Sequence, residues 1–109
     1  MLPTTTDLTT GERLCVARRR KNRTQARFAK RLRVSLTTYR QIEAGKIPAR
    51  VRAPAIYRLQ PHEACRIARK RAGLTLDKLS RRLKLSKWWL CLIEQGKAPT
   101  RTLLEFWSK

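Results

Sequence analysis

Apolar residues return along this chain at short helical intervals. Leu14 and Ala17 lie three apart, Phe28, Ala29 and Leu32 follow, and Val34, Tyr39 and Ile42 make a third short run. Ala68, Leu79, Leu83, Leu85, Leu90 and Ile93 repeat the scheme in the second half. Steps of three and four put side chains on one face of an α-helix, so the pattern predicts short amphipathic helices that bury these residues.

The repetition is not loose. Sliding the sequence by 51 residues aligns 12–50 with 63–101 without a gap, and 14 of the 39 positions are identical, too many for chance. Among them are Arg18, Thr24, Ser35, Ile42, Glu43, Gly45, Lys46 and Pro48.

Each copy is punctuated as three helices. Thr9 and Glu12 form a capping box that opens the first, Asn22 is a left-handed stop, Thr24 caps the second, and Ser35 caps a third that Gly45 ends. In the second copy Gly73, Thr75, Ser86 and Gly96 take the same stations. Between the copies, "VRAPAIYRLQP" has room for a short helical segment around Pro54 to Leu59, with Pro61 as a break or the start of the next helix. The tail "TRTLLEFWSK" would be a fourth helix, with Leu103, Leu104, Phe106 and Trp107 for packing. The expected architecture is all-α, two tandem trimmed units of about four short helices each: residues 1–10 an N-terminal arm, 11–60 the first unit, 61–109 the second.

Charge turns this scaffold toward a partner. The chain carries 27 Lys and Arg against 7 Asp and Glu, a formal net charge of +20, which calls for a polyanion, nucleic acid first. From Arg18 to Arg33 nine of sixteen residues are basic, and no acid lies between Glu12 and Glu43. Such a segment repels itself unless anions neutralise it. An anionic membrane would also attract it, but no run approaches the roughly 18 apolar residues that span a bilayer. The opening "MLPTTTDLTT" lacks the basic start and apolar run of a signal peptide, so a cytosol, or a bacterial nucleoid, is the expected location.

Other chemistry finds little support. Cys15, Cys65 and Cys91 are odd in number and irregularly spaced, which favours free buried thiols over a disulfide framework. With one histidine, His62, and scattered cysteines, a four-ligand zinc site is not expected, nor is any cofactor. An enzyme is not expected either: four of the seven acids occupy repeated positions, leaving Asp7, Asp77, Glu105 and His62 without a nucleophile motif or a Gly-rich phosphate loop.

At "TQARFAKRLRVSLTTYRQIEAGKIP" (24–48) and "TLDKLSRRLKLSKWWLCLIEQGKAP" (75–99) the chain resembles the phage repressor and Cro (XRE-type) helix-turn-helix family, over about 11–50 and 62–101. It departs from that family in having Arg33 and Lys84 where Gly is common in the turn, and in having fewer helices per unit. The resemblance implies an internal ion pair between the helix-one arginine and the helix-three glutamate, here Arg18 with Glu43 and Arg69 with Glu94. It also implies that helix three enters the major groove by its amino-terminal part. In the first copy this would present Leu36, Thr37, Arg40 and Gln41 to bases. Arg40 suits guanine O6 and N7, Gln41 adenine N6 and N7, and Thr37 and Leu36 a thymine methyl. Phosphates would be gripped by Arg20, Arg23, Thr24, Gln25, Arg27 and Lys46, and in the second copy by Thr75, Lys78 and Lys97.

The second copy is harder to read, because Lys87, Trp88, Cys91 and Leu92 stand at the groove-facing stations and Leu76 replaces Gln25. Trp88, Cys91 and Leu92 would form an apolar patch covered by a second chain or another protein, or Trp88 would press on thymine methyls beside Lys87, or the patch would pack against the tail. Trp89 is expected to turn partly inward. The function expected is a sequence-specific DNA-binding transcriptional regulator, a repressor of the phage or mobile-element type, on double-stranded operator DNA, with the first copy as main reader. The alternatives are an architectural protein that binds nucleic acid through charge alone, and an antagonist that captures a protein on the second copy's apolar surface.

Overall fold

Thr9 starts the first helix by accepting a hydrogen bond from the Glu12 amide at 3.1 Å, while its own amide donates to Glu12 Oε1 at 2.9 Å. That box opens α1, Thr10–Arg20. Thr24 accepts from the Arg27 amide at 3.1 Å to open α2, Gln25–Arg31, and Ser35 accepts from the Thr38 amide at 3.0 Å to open α3, Leu36–Glu43. Pro61 is the first residue of α4, Pro61–Arg71, where its missing N–H costs nothing. Thr75 and Ser86 cap α5, Leu76–Leu83, and α6, Lys87–Glu94, as Thr24 and Ser35 do; α7, Arg101–Trp107, follows. The computed structural model describes residues 2–48 and 50–108, and among these there are seven α-helices, a 3-10 turn at Thr5–Asp7 and no strand. The outer bounds expected at residues 1 and 109 lie outside the described residues.

The chain forms two compact units. One holds Thr5–Arg58, and the other holds Leu59 onward together with the segment up to Thr4. Of the ten residues expected as an arm, Leu2 therefore packs on the core of the C-terminal unit, while Thr10 is already in α1. The N-terminal core is Leu14, Phe28, Ala29, Tyr39 and Ile42, with the Phe28 and Tyr39 rings edge to face at 6.2 Å. The C-terminal core is Cys65, Ala68, Leu79, Leu90 and Ile93, joined by Leu103 and Trp107 from α7.

Three left-handed backbone positions recur in both units at the 51-residue offset: Asn22 and Gly73 (φ 51° and 71°), Arg33 and Lys84 (60° and 56°), and Gly45 and Gly96 (74° and 80°). Arg33 and Lys84 are notable because a side chain in this region costs roughly 1–2 kcal/mol. They form the turn between the second and third helix of each unit.

One expected element is absent. Residues 50–60 contain no helix, so the short helix read around Pro54 to Leu59 is corrected to an irregular segment that buries Ile56 and leaves Tyr57 exposed. Aligned on α7, this segment has Arg52 where Leu103 anchors the core, and Pro54 sits in what would be the helix interior, where it removes a hydrogen bond and clashes with the preceding turn. An open depression of about 360 Å³ remains beside it, lined among others by Val34, Ile42, Ile47 and Val51. No helix among the described residues is long and apolar enough to cross a membrane.

The packing of α1 on α3 depends on Gly11. A Cβ there would lie 2.1 Å from the Ile42 carbonyl oxygen and 3.1 Å from Glu43 Cα, both backbone atoms that cannot swing away. Gly11→Ala is therefore expected to destabilise the N-terminal unit by about 1–3 kcal/mol, measured by urea unfolding of the full chain. Gly45→Ala, which meets no atom within 4 Å and suffers only left-handed strain, should cost about 1 kcal/mol. Equal stability of Gly11→Ala and the wild type would contradict the close approach of α1 and α3.

Candidate nucleic-acid interface

Glu43 closes α3 with a largely buried carboxylate. Arg18 reaches it from α1, with Nε donating to Oε2 at 2.8 Å and Nη2 to Oε1 at 3.3 Å, while Nη1 donates to the Arg23 carbonyl at 3.1 Å. From the start of α2, Gln25 Nε2 adds a bond to Oε1 at 3.1 Å. Burial alone would raise the Glu43 pKa, but the hydrogen bonds from Arg18, with that from Gln25 beside them, outweigh it and hold the carboxyl below the usual range. Burial likewise opposes the Arg18 charge, and Glu43 more than offsets it, leaving that guanidinium raised. Burial first, and then the Glu43 charge, push the Tyr39 phenol up.

The C-terminal unit repeats this pair in a drier setting. Arg69 Nε donates to Glu94 Oε2 at 2.8 Å, Nη2 to Oε1 at 3.0 Å, and Nη1 to the Leu74 carbonyl at 3.0 Å. Both side chains are more than nine-tenths buried. Beside them burial, and next the Glu94 charge, push the Cys65 thiol up to about 11. None of the three cysteines forms a disulfide, and of them Cys65 alone is fully buried.

With its last turn fixed, α3 exposes its other face. Thr37, Arg40 and Gln41 are exposed and Leu36 is half-buried. Arg23, Arg27 and Lys46 are exposed around them, and their side chains find no partner among the described residues. Thr24 spends its hydroxyl on the α2 cap, and the Arg20 guanidinium donates to the Arg58 carbonyl. Gln25 departs most from expectation. It is half-buried, and besides donating to Glu43 its Oε1 accepts from Arg40 Nε at 3.3 Å. Its place at the head of α2 was legible, but its direction was not, since nothing in the spacing says whether an amide at that station faces outward or toward the carboxylate.

On α6 the corresponding surface is apolar. Trp88 is 69% exposed, Trp89 39%, and Cys91 and Leu92 are half-buried, with the two indoles tilted at 6.5 Å. Trp89 is thus more open than its expected inward turn. Lys87, read as the one polar contact here, lies 3.5 Å from Asp77 Oδ1. Lys78 and Lys97 are exposed without side-chain partners among the described residues, and Thr75 caps α5. The described residues contain no group of three or more His, Cys, Asp or Glu placed to hold a metal.

α2 is capped at its first turn, a tight turn runs through left-handed Arg33, and α3 exposes polar side chains beside cations that find no partner among the described residues. Residues 16–53 match the helix-turn-helix family. The match supports a DNA-binding transcription regulator in general, and its bounds take in the last five residues of α1 and all of α2 and α3. No curated protein and no solved structure matches the chain.

The depressed pKa of Glu43 makes stability pH-dependent with a definite sign. Its contribution is complete above the unfolded carboxylate value, near about 4.3, and is lost as pH falls from there through the lower folded value. Thermal melts between about pH 6 and pH 3 should therefore show a steeper acid decline for the wild type than for Glu43→Gln. Glu43→Ala, which leaves Arg18 without its partner, should lose roughly 3–5 kcal/mol at neutral pH. Parallel acid profiles for the wild type and Glu43→Gln would show that the carboxylate is not held in its charged form by the fold.

Proposed function

We propose that the chain is a sequence-specific transcriptional regulator that reads double-stranded operator DNA with α3 of its N-terminal unit. The observation that carries this is the pairing of exposed Thr37, Arg40 and Gln41 on α3 with the exposed cations Arg23, Arg27 and Lys46, whose side chains find no partner among the described residues. In a helix-turn-helix the second helix lies in the major groove while the first crosses the backbone. Arg40 then takes guanine, Gln41 adenine, and Thr37 with Leu36 a thymine methyl. Arg23, Arg27 and Lys46 neutralise phosphates, with Arg20, Thr24 and Gln25 close by. Occupying an operator suffices to block transcription, so the action is repression, of the kind used by phages and mobile elements, in a bacterial cytosol or nucleoid.

The C-terminal unit is, on this reading, a second copy of the same domain. Three shared left-handed positions, shared Thr and Ser caps and the repeated arginine–glutamate pair support that view. Its α6 is ill suited to bases: Cys91 and Leu92 stand where Arg40 and Gln41 do, and Asp77 competes for Lys87. The exposed Trp88 favours a second role, contact with a second copy of the chain, which would bring two α3 helices to two half-sites of a symmetric operator.

Site selection from a random duplex library at about 150 mM salt, where nonspecific phosphate attraction is weakened, tests the first claim. A motif should emerge from the wild type, and Arg40→Ala and Gln41→Ala should each relax one position of it by roughly 1–3 kcal/mol. Binding retained without any motif would point instead to a charge-only architectural protein. The second claim is read from solution mass. Trp88→Ala with Leu92→Ser should shift a dimer to monomer while N-terminal contacts to a single half-site persist. An unchanged mass with lost operator binding would place Trp88 on DNA instead.

A further inference from the structure

We propose that Gln25 is the positioning residue that sets the guanine-reading geometry of Arg40; the inference rests on the DNA-reading function proposed for α3. Gln25 is the only group given to Arg40 by the fold: its Oε1 accepts from Arg40 Nε at 3.3 Å, and the side chain of Arg40 makes no other hydrogen bond or ion pair among the described residues. Nη1 and Nη2 are left for an acceptor outside the unit. These two nitrogens present parallel N–H bonds, the arrangement that matches guanine O6 and N7.

Gln25 can hold an arginine because it is itself held. Its Nε2 donates to Glu43 Oε1 at 3.1 Å, so the amide cannot flip without putting its oxygen against the carboxylate. Glu43 is fixed in turn by two bonds from Arg18. The chain Arg18, Glu43, Gln25, Arg40 thus runs from the interior of the unit to its exposed face, drawing on all three helices. A free arginine on a helix surface samples many rotamers, and each one frozen on binding costs affinity. Anchoring Nε removes part of that cost in advance.

The repeat supplies an internal control. The C-terminal unit keeps the buried pair, Arg69 with Glu94, but has Leu76 at the Gln25 station and Cys91 at the Arg40 station. Both outer members of the relay are missing together, although neither is needed for the ion pair or the fold. That is expected if Gln25 serves Arg40, and not if it serves only to complete the bonding of the glutamate, since Glu94 stays buried without any such amide.

The test uses the full-length protein and the operator recovered by selection. Four proteins are compared: wild type, Arg40→Ala, Gln25→Met, which keeps the length of the side chain but not its hydrogen bonds, and the double variant. The wild type should prefer guanine at the Arg40 position by roughly 5- to 150-fold, and should bind more weakly when that guanine is replaced by 7-deazaguanine. Gln25→Met should lose about 3-fold or more of this preference and most of the 7-deazaguanine penalty, yet add nothing in the Arg40→Ala background. Its binding to unrelated duplex and its melting temperature report separately on phosphate contact and folding. Where Gln25→Met does not fold, Gln25→Leu, the residue the other unit carries, takes its place. A Gln25 effect that persists undiminished without Arg40 would assign the residue to phosphate or to structure and overturn the proposal. A motif weakened by Arg40→Ala but untouched by Gln25→Met would overturn it while leaving the DNA-reading function standing. No motif from the wild type would remove both.

Discussion

Glu43 ends α3 with its carboxylate turned away from water, and a charge so placed has to be answered from within the fold. The answer comes from two directions, Arg18 of α1 and Gln25 of α2, so the satisfied state exists at only one disposition of the three helices. A pair of this kind contributes little net stability, since desolvation consumes most of its attraction. What it supplies is definition: α3 can neither slide nor roll without stranding a buried charge. The exposed set Thr37, Arg40 and Gln41 inherits its placement from that bond. Arg69 and Glu94 apply the same constraint to α6, and there it is drier still.

The turn between the two helices adds a second constraint, of backbone rather than charge. Arg33 and Lys84 occupy left-handed conformations that glycine would adopt more cheaply, at a cost of roughly 1–2 kcal/mol each. Both stations carry long cations, and both are exposed. Local rules tend to be broken where function gains from it, and a cation at this turn extends the basic rim of the helix-turn-helix. Gly45 and Gly96, past the ends of α3 and α6, keep the residue that such a conformation prefers.

Much of this was legible in the sequence because it depends on short-range chemistry. A Thr or Ser with an apolar run behind it caps a helix whatever surrounds it, so Thr9, Thr24, Ser35, Thr75 and Ser86 could be assigned at sight. The stop at Asn22 followed equally from local conformational preference. The short helix expected around Pro54 to Leu59 does not form, because Pro54 would lie in its interior and the charged Arg52 stands where Leu103 anchors α7. The Gln25 amide, the Lys87 contact with Asp77 and the openness of Trp89 were out of reach for a different reason. Each depends on where a side chain points once the helices have packed, and residue spacing carries no information on that.

In the DNA reading proposed for this chain, charge and shape divide the labour. Fifteen of the 27 Lys and Arg lie in Thr5–Arg58, against three acids, so attraction to any polyanion is strongest in the unit that also carries the exposed polar face of α3. That attraction does not distinguish one sequence from another, and at low salt it would mask a modest preference for the right bases. If α3 reads operator DNA as proposed, discrimination falls to very few side chains, and each has to be held in place before DNA arrives, because an arginine that is merely near a base adds more to the indiscriminate term than to the selective one. The apolar face of α6 differs in kind: it exposes Trp88 and carries Cys91 and Leu92 at the stations of Arg40 and Gln41, so it offers little charge or hydrogen bonding and is a surface better matched to protein than to phosphate.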